Sequence, residues 1–326
     1  MPPCRVAYPA LAAAVCCALA CSAEGGGPAG SSSGTPGSGG ALSSTGGGGS
    51  ASGGGGSGGD PSCAKGPGYE PSGSPQLVAG LTAKIVDETG APAANVPVFV
   101  CGFGACSKPA TTSAQGEVCT LDKASGVCAP GISPGLQITR PALKYGLGIE
   151  HVKLAQLLPE GAAEHAIGEV TTFRLPELAQ GVELSAGDSA VSNGVSLTLA
   201  PGTKLQHDEL VFDTPELQRF RAVQIPVAKA PPAVDPSAGF EILIGTTPVD
   251  TQLCPRAALE VPNTAGWAAG TEVELWVHGV SVLEEWAPYG GWAEASGGKV
   301  SADGARIVTN DGEGVRVLGL FGIRKK

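Results

Sequence analysis

The 326-residue chain is poor in the residues that build nucleic-acid-binding surfaces and catalytic sites. Charged residues make up 15% of the sequence and aromatic residues 5%, and there are 4 histidines. The net charge is −10, whereas a protein that binds nucleic acid normally presents a basic face. Basic residues cluster only at Arg324–Lys326, a pattern typical of a solvated tail. The composition therefore argues against a nucleic-acid partner.

The sequence also lacks the common catalytic and metal-binding motifs. No two histidines have the spacing of an H-E-x-x-H zinc segment, and no cysteines have Cys-x-x-Cys spacing. Residues 131–135 match the G-x-S-x-G motif of serine hydrolases, but Pro134 has no backbone N–H to act as the oxyanion donor. Alternating carboxylates such as Glu272 and Glu274 fit the solvated face of a strand. We therefore expect no enzyme, no metal and no cofactor.

No apolar run is long enough to span a bilayer, which takes about 20 residues. The first run, Tyr8–Ala20, follows a single cation, Arg5, and ends in small residues. A charged start, a short apolar stretch and small residues at the exit are typical of a secretory signal. The pattern predicts that residues 1–20 are a signal peptide and that the chain is exported.

The signal ends in Ala18-Leu19-Ala20-Cys21, which resembles a bacterial lipobox. The resemblance implies that Cys21 is lipidated and becomes the new N-terminus, although Ala18 stands where the motif prefers Leu. Ordinary signal-peptidase cleavage near Ala20 or Ala23 is the alternative. Ser22 is not Asp, which by resemblance to enterobacterial sorting favours the outer membrane, on its periplasmic or its outer face.

A Gly/Ser-rich tract follows, with 18 glycines in the 39 positions 22–60. Such a tract has almost no apolar surface to bury and stays disordered. A Gly/Ser chain of this length has a root-mean-square span of roughly 35 Å. Residues 21–75, here called the tether, are therefore expected to hold a folded body away from a membrane surface.

Strand patterns begin after the tether. In residues 77–85 every second residue is apolar, which predicts a half-buried strand, and a turn and a second strand, 96–100, follow. This arrangement resembles a carboxypeptidase-regulatory-like (transthyretin-like) β-sandwich, which implies a fold and no activity for residues 76–178. The residues that carry the resemblance are Val86-Asp87, Gly90, Pro92, Val96-Pro97-Val98, Thr111-Thr112 and Gly116.

Residues 179–326 have the same kind of pattern. Short apolar alternations at 195–199, 240–244, 258–261 and 271–278 are separated by turn signals, which predicts a second β-sandwich. The order of these segments is similar to that of ZU5-like modules of bacterial surface proteins, a resemblance that is again structural. We expect an all-β protein in which two β-sandwich domains follow the signal peptide and a disordered linker.

Six cysteines remain after Cys21, and an even number in an exported chain predicts disulfides. Six cysteines allow fifteen pairings. Proximity in the sequence favours two local pairs and leaves one long-range pair. The three predicted pairs are Cys101–Cys106, Cys119–Cys128 and Cys63–Cys254.

The aromatic residues are concentrated near the C-terminus, where Trp286, Tyr289 and Trp292 lie in a turn-like segment. Exposed rings of this kind stack on sugars or anchor a protein partner, whereas buried rings cover a core. The sequence leaves both interpretations open.

The leading functional hypothesis is a non-catalytic, lipid-anchored structural or binding lipoprotein of the bacterial cell envelope. Its expected partners are the membrane, through the N-terminal lipid, and a polysaccharide or an envelope protein. The alternative hypothesis is a carbohydrate-binding surface module that uses the Trp286–Trp292 loop.

Overall fold

The computed structural model describes residues 66, 68–69, 73–103, 105–120, 135–283 and 285–326, which belong to one compact unit. Among them are 21 strands and three single-turn 3-10 helices, so the expected all-β fold class is confirmed. None of the helices in this part of the chain is long or apolar enough to cross a bilayer. The signal peptide, Cys21 and most of the tether lie outside the described residues.

The first ten strands fall within the first predicted domain. They are β1 (Gln76–Val78), β2 (Gly80–Val86), β3 (Pro97–Gly102), β4 (Ala105–Cys106), β5 (Ala110–Thr111), β6 (Glu117–Thr120), β7 (Leu136–Ile138), β8 (Ala142–Tyr145), β9 (Leu154–Leu157) and β10 (Glu164–Thr171).

The other strands, with the 3-10 helices, form the second half. The helices are Leu178–Gln180, Val227–Lys229 and Pro236–Ala238. The strands are β11 (Ser189–Ser192), β12 (Val195–Thr198), β13 (Lys204–Gln206), β14 (Arg221–Ile225), β15 (Ile242–Thr247), β16 (Gln252–Pro262), β17 (Glu272–His278), β18 (Trp292–Val300), β19 (Arg306–Thr309), β20 (Val315–Val317) and β21 (Leu320–Lys325).

Three small sheets make up the first half: β1-β7, β10-β2-β6, and β4-β3-β8-β9 with β5 also paired to β3. The predicted strand from Leu77 divides into β1 and β2, which belong to different sheets. Leu81 and Ile85 are buried as the alternation predicts, whereas Leu77 is 46% exposed. The break between the two strands therefore shifts the alternation by one residue: Val78 is the buried residue of β1, whereas Leu81 and Ile85 are buried in β2.

One large sheet dominates the second half, in the order β11-β12-β16-β19-β18-β17-β21-β15-β14, with β13 and β20 also paired to β16. Its two edge strands approach each other. The backbone N–H of Ala222 in β14 donates to Ser192 Oγ (3.0 Å), and Asn193 Nδ2 donates to the Ala222 carbonyl oxygen (2.9 Å). The sheet therefore curls around an apolar core that includes Leu259, Leu275 and Phe321.

The two halves share apolar packing. One buried cluster contains Val98 and Leu143 of the first half together with Leu243 of β15. Ile244, the next residue of β15, points into the core of the large sheet instead. All six residues of β15 are buried because both faces of the strand are covered. The hydrophobic effect thus joins the two predicted domains as well as stabilising each of them.

The cysteine predictions are confirmed in one case. Cys101 and Cys106 form a disulfide and lie opposite each other in the β3–β4 hairpin. Cys119 and Cys254 also take part in disulfides. The pairings predicted for them, with Cys128 and Cys63, lie outside the described residues.

Candidate functional site

A cleft of about 300 Å³ lies beside Trp286 on the large sheet. Strands β16, β17, β18 and β20 supply most of its wall, and Tyr69 supplies an aromatic ring from the end of the tether. Both aromatic residues are half-buried. A concave surface with aromatic walls and a few polar groups is the usual form of a small-ligand site.

The cleft, here called the Trp286 cleft, contains two cations and one anion among its described lining residues. These are Arg256 on β16, Arg316 on β20 and Glu294 on β18. Ala257 of β16 and Val315 of β20 are partners in an antiparallel pair, and Arg256 and Arg316 are their neighbours on the same side of that pair. The guanidinium carbon of Arg316 lies 5.8 Å from the centre of a Trp286 ring, within range for cation–π attraction.

The end of the tether is fixed against the loop that contains Glu285 and Trp286. Gly68 N–H donates a hydrogen bond to the carbonyl oxygen of Glu285 (3.2 Å). Gly66 lies so close to Glu285 that a Cβ atom there would come within 2.1 Å of the Glu285 carbonyl oxygen and 2.9 Å of the Trp286 ring. Only glycine allows this approach. The sequence contained the glycines but gave no sign of what they would contact.

Tyr289 and Trp292 do not line this cleft. The Tyr289 ring is completely buried, in a cluster that also contains Phe212 and Val280. Trp292 is half-buried, with its ring centre 4.5 Å from that of Phe240. The Trp286–Trp292 loop is therefore not one exposed aromatic platform, because only Trp286 faces the cleft and the Tyr289 ring is inaccessible to a ligand.

His278 lies at the junction between the two halves. Its Nε2 is 3.3 Å from the backbone nitrogen and 3.0 Å from the carbonyl oxygen of Ala155 in β9, and its Nδ1 is 3.0 Å from the carbonyl oxygen of Gly291. A neutral ring that donates from Nδ1 to Gly291 and accepts at Nε2 from the Ala155 N–H gives each ring nitrogen a partner. Burial lowers the pKa of His278 to about 4, so the ring is neutral at pH 7.

Two further charged groups join the halves. The Lys153 ammonium group, almost fully buried, forms an ion pair with Asp250 in the turn after β15. Arg221 is 1% exposed, and its Nη1 donates to the carbonyl oxygens of Ile149 (2.6 Å) and Pro176 (2.9 Å). Sequence reasoning missed both contacts because the partners are far apart in the chain.

The other three histidines do not line the Trp286 cleft. His151 and His165 are buried, and His207 Nδ1 is 2.9 Å from Thr251 Oγ1. Desolvation lowers the pKa of each of these three rings. Within the described ranges, no three His, Cys, Asp or Glu side chains come together as a metal site would require. The described residues that line the Trp286 cleft offer two aromatic rings, two guanidinium groups and one carboxylate to its interior.

No family model matches the chain, and no curated protein matches it. Among solved structures, the chain is similar to the Bacillus anthracis TIE protein at 12% identity, with a TM-score of 0.21. The alignment covers 77% of this chain and 46% of that protein, so the chain spans less than half the length of the structure it matches.

Proposed function

We propose that the protein is a non-catalytic, structural or binding lipoprotein of the bacterial cell envelope, anchored to the membrane through a lipid on Cys21.

 The body would be held off the membrane by the tether, with the outer membrane as its expected location. The supporting observation is the contact of Gly66 and Gly68 with Glu285, which fixes the end of the tether to the loop between β17 and β18. A long Gly/Ser segment that ends in a defined attachment point suits a body displayed at a distance from its anchor.

The anchor is tested by a Cys21→Ala variant of the full chain. We expect the wild type to partition into the detergent phase and to sediment with membranes, and the variant to lose both properties. Cys17→Ala is the matched control, because Cys17 belongs to the predicted signal peptide and its loss leaves the anchor intact. Unchanged partitioning of Cys21→Ala would reject lipid anchoring at this residue.

We propose that residues 76–178 are a carboxypeptidase-regulatory-like domain and residues 179–326 a ZU5-like domain. Support comes from strands close to where the sequence patterns predict them, such as β3 at Pro97–Gly102 and β17 at Glu272–His278. Both domain types imply a scaffold or a binding module and no catalytic activity. Expression of each segment alone, followed by thermal unfolding, tests whether either is an independent domain.

Carbohydrate binding is the second candidate function, and we propose that it would centre on Trp286. The observation that favours it is the cleft that Trp286 shares with Tyr69 and polar side chains. Glycan screening that follows tryptophan fluorescence tests the idea. A Trp286→Phe variant should change the response, whereas Trp276→Phe, outside the cleft, should not. Absence of any glycan-dependent change in the wild type would reject this function.

A further inference from the structure

We propose that the Trp286 cleft binds an acidic sugar residue of a polysaccharide, with the sugar carboxylate held by Arg256. The inference rests on the carbohydrate-binding function proposed above and narrows its substrate class from glycans in general to those that carry a carboxylate. A neutral sugar could stack on the aromatic rings without the arginine side chains of the cleft, whereas an acidic sugar uses both.

Arg256 is the first part of the argument. Its side chain is half-buried and lines the cleft, yet it makes no hydrogen bond or ion pair with any other described residue. The other arginines of the large sheet have such partners: Arg306 pairs with Glu260, and Arg324 pairs with Glu274. A guanidinium group has five N–H donors in a planar fork that matches a carboxylate. Arg256 is therefore the available cation for an anionic ligand in this cleft.

The charge balance of the cleft is the second part. Two of its three charged lining residues are arginines on neighbouring strands, in a chain whose net charge is −10. The two guanidinium groups and one carboxylate give the described lining residues a net charge of +1, which favours an anionic ligand over a cationic one. Glu294 is exposed and also lines the cleft, where its carboxylate can accept hydrogen bonds from sugar hydroxyl groups.

The aromatic walls and the size of the cleft supply the third part. Tyr69 and Trp286 present ring surface to a cleft of about 300 Å³, which lies at the lower end of the range for small-molecule sites. A single sugar ring with its carboxylate fits this size better than a larger aromatic ligand. A sugar ring packs its C–H groups on an aromatic ring while its polar groups point towards charged side chains. Together these features indicate one acidic sugar unit, with the rest of the polymer in solvent.

The test compares two probes, a trisaccharide of galacturonic acid and the neutral trisaccharide of galactose, by isothermal titration calorimetry with the full chain. We expect the acidic probe to bind at least tenfold more tightly than the neutral one. Arg256→Gln should weaken binding of the acidic probe by about tenfold or more, because it removes a charge-assisted hydrogen bond, and should leave the neutral probe unchanged.

Arg174→Gln is the matched control, because it removes an exposed guanidinium group that does not line the Trp286 cleft. It should bind both probes as the wild type does. Thermal unfolding of both variants checks the fold, which Arg256→Gln should preserve because the side chain has no described partner to lose.

The outcomes separate this inference from the function on which it rests. Equal binding of the acidic and neutral probes would overturn the acidic-sugar inference and leave carbohydrate binding in place. Binding of neither probe would overturn the inference, and a negative glycan screen would in addition reject carbohydrate binding. Acidic binding that survives in Arg256→Gln would show that the carboxylate is held elsewhere, which also overturns it. Membrane anchoring is measured separately with Cys21→Ala.

Discussion

Two aromatic residues three positions apart have opposite surroundings. Trp286 is half-buried at the wall of an open cleft, whereas Tyr289 is completely buried between the two halves of the protein. The Tyr289 carbonyl oxygen accepts a hydrogen bond from Arg140 Nη2 (2.9 Å), which belongs to the first half. The comparison shows that an aromatic-rich loop serves two purposes, one ring facing solvent and another filling the core.

The same contrast extends to the polar residues nearby. Arg256 in the cleft makes no hydrogen bond to another described residue, whereas His278 at the junction has hydrogen-bond partners for both ring nitrogens. Buried polar groups must be satisfied by the protein, while partly exposed ones can exchange water for a ligand. The contacts of His278 therefore stabilise the fold, whereas the N–H donors of Arg256 are used by no described residue.

The largest expected effect comes from removing the buried ring. Tyr289→Ala should lower the free energy of unfolding by about 3–5 kcal/mol, because it leaves a cavity in a packed cluster. Trp286→Ala should cost less than about 2 kcal/mol, since its ring is half-exposed and loses less buried area. Urea unfolding measures both. Equal losses would contradict the contrast between the two rings.

The second-largest expected effect is a loss of folding stability at low pH. Burial lowers the pKa of His278 to about 4, against about 6.5 in the unfolded chain. Well above pH 6.5 the ring is neutral in both states, and burying it then costs no deprotonation. As the pH falls from 6.5 towards 4, the unfolded state takes up the proton first, so stability declines. From this group alone we expect a loss on the order of 2–3 kcal/mol between pH 7 and pH 4.5.

A His278→Gln variant isolates that contribution. Its free energy of unfolding should fall less steeply between pH 7 and pH 4.5 than that of the wild type, as measured by urea unfolding at both values. His207→Gln is the control, because His207 is only partly buried and lies away from the junction. If His278→Gln and the wild type lost the same stability on acidification, the assignment of His278 as a buried neutral ring would be rejected.

The smallest effect is expected at the end of the tether. Gly66→Ala places a Cβ atom against Glu285 and should displace this segment, while global stability changes by less than about 1 kcal/mol because few contacts depend on it. Trypsin cleavage after Lys65 should become faster. Gly319→Ala is the control, since its Cβ atom would be at an ordinary 3.6 Å from Val277. Cleavage at the wild-type rate in Gly66→Ala would mean that the segment is not held at Glu285.

Local patterns allowed much of the fold to be predicted. A short apolar run after a turn located β3. Alternating apolar residues located β17, because a strand with one solvated face imposes a period of two on its own sequence. The Cys101–Cys106 pair was predictable for a similar reason, since a short hairpin brings its two ends together. The candidate site was predicted less well: Trp286 was identified, but Tyr69, Arg256 and Arg316 were not.

The sequence by itself determined the all-β class and the local Cys101–Cys106 disulfide, because each depends on residues close together in the chain. Only the tertiary structure decided which aromatic ring is accessible and how the two halves join. Ala155 and His278 are in contact although they are 123 residues apart. Strand β15 is buried on both faces, although the alternation in its sequence suggested that only one face is buried. Contacts between such distant segments arise from the packing of whole sheets, which no local periodicity records.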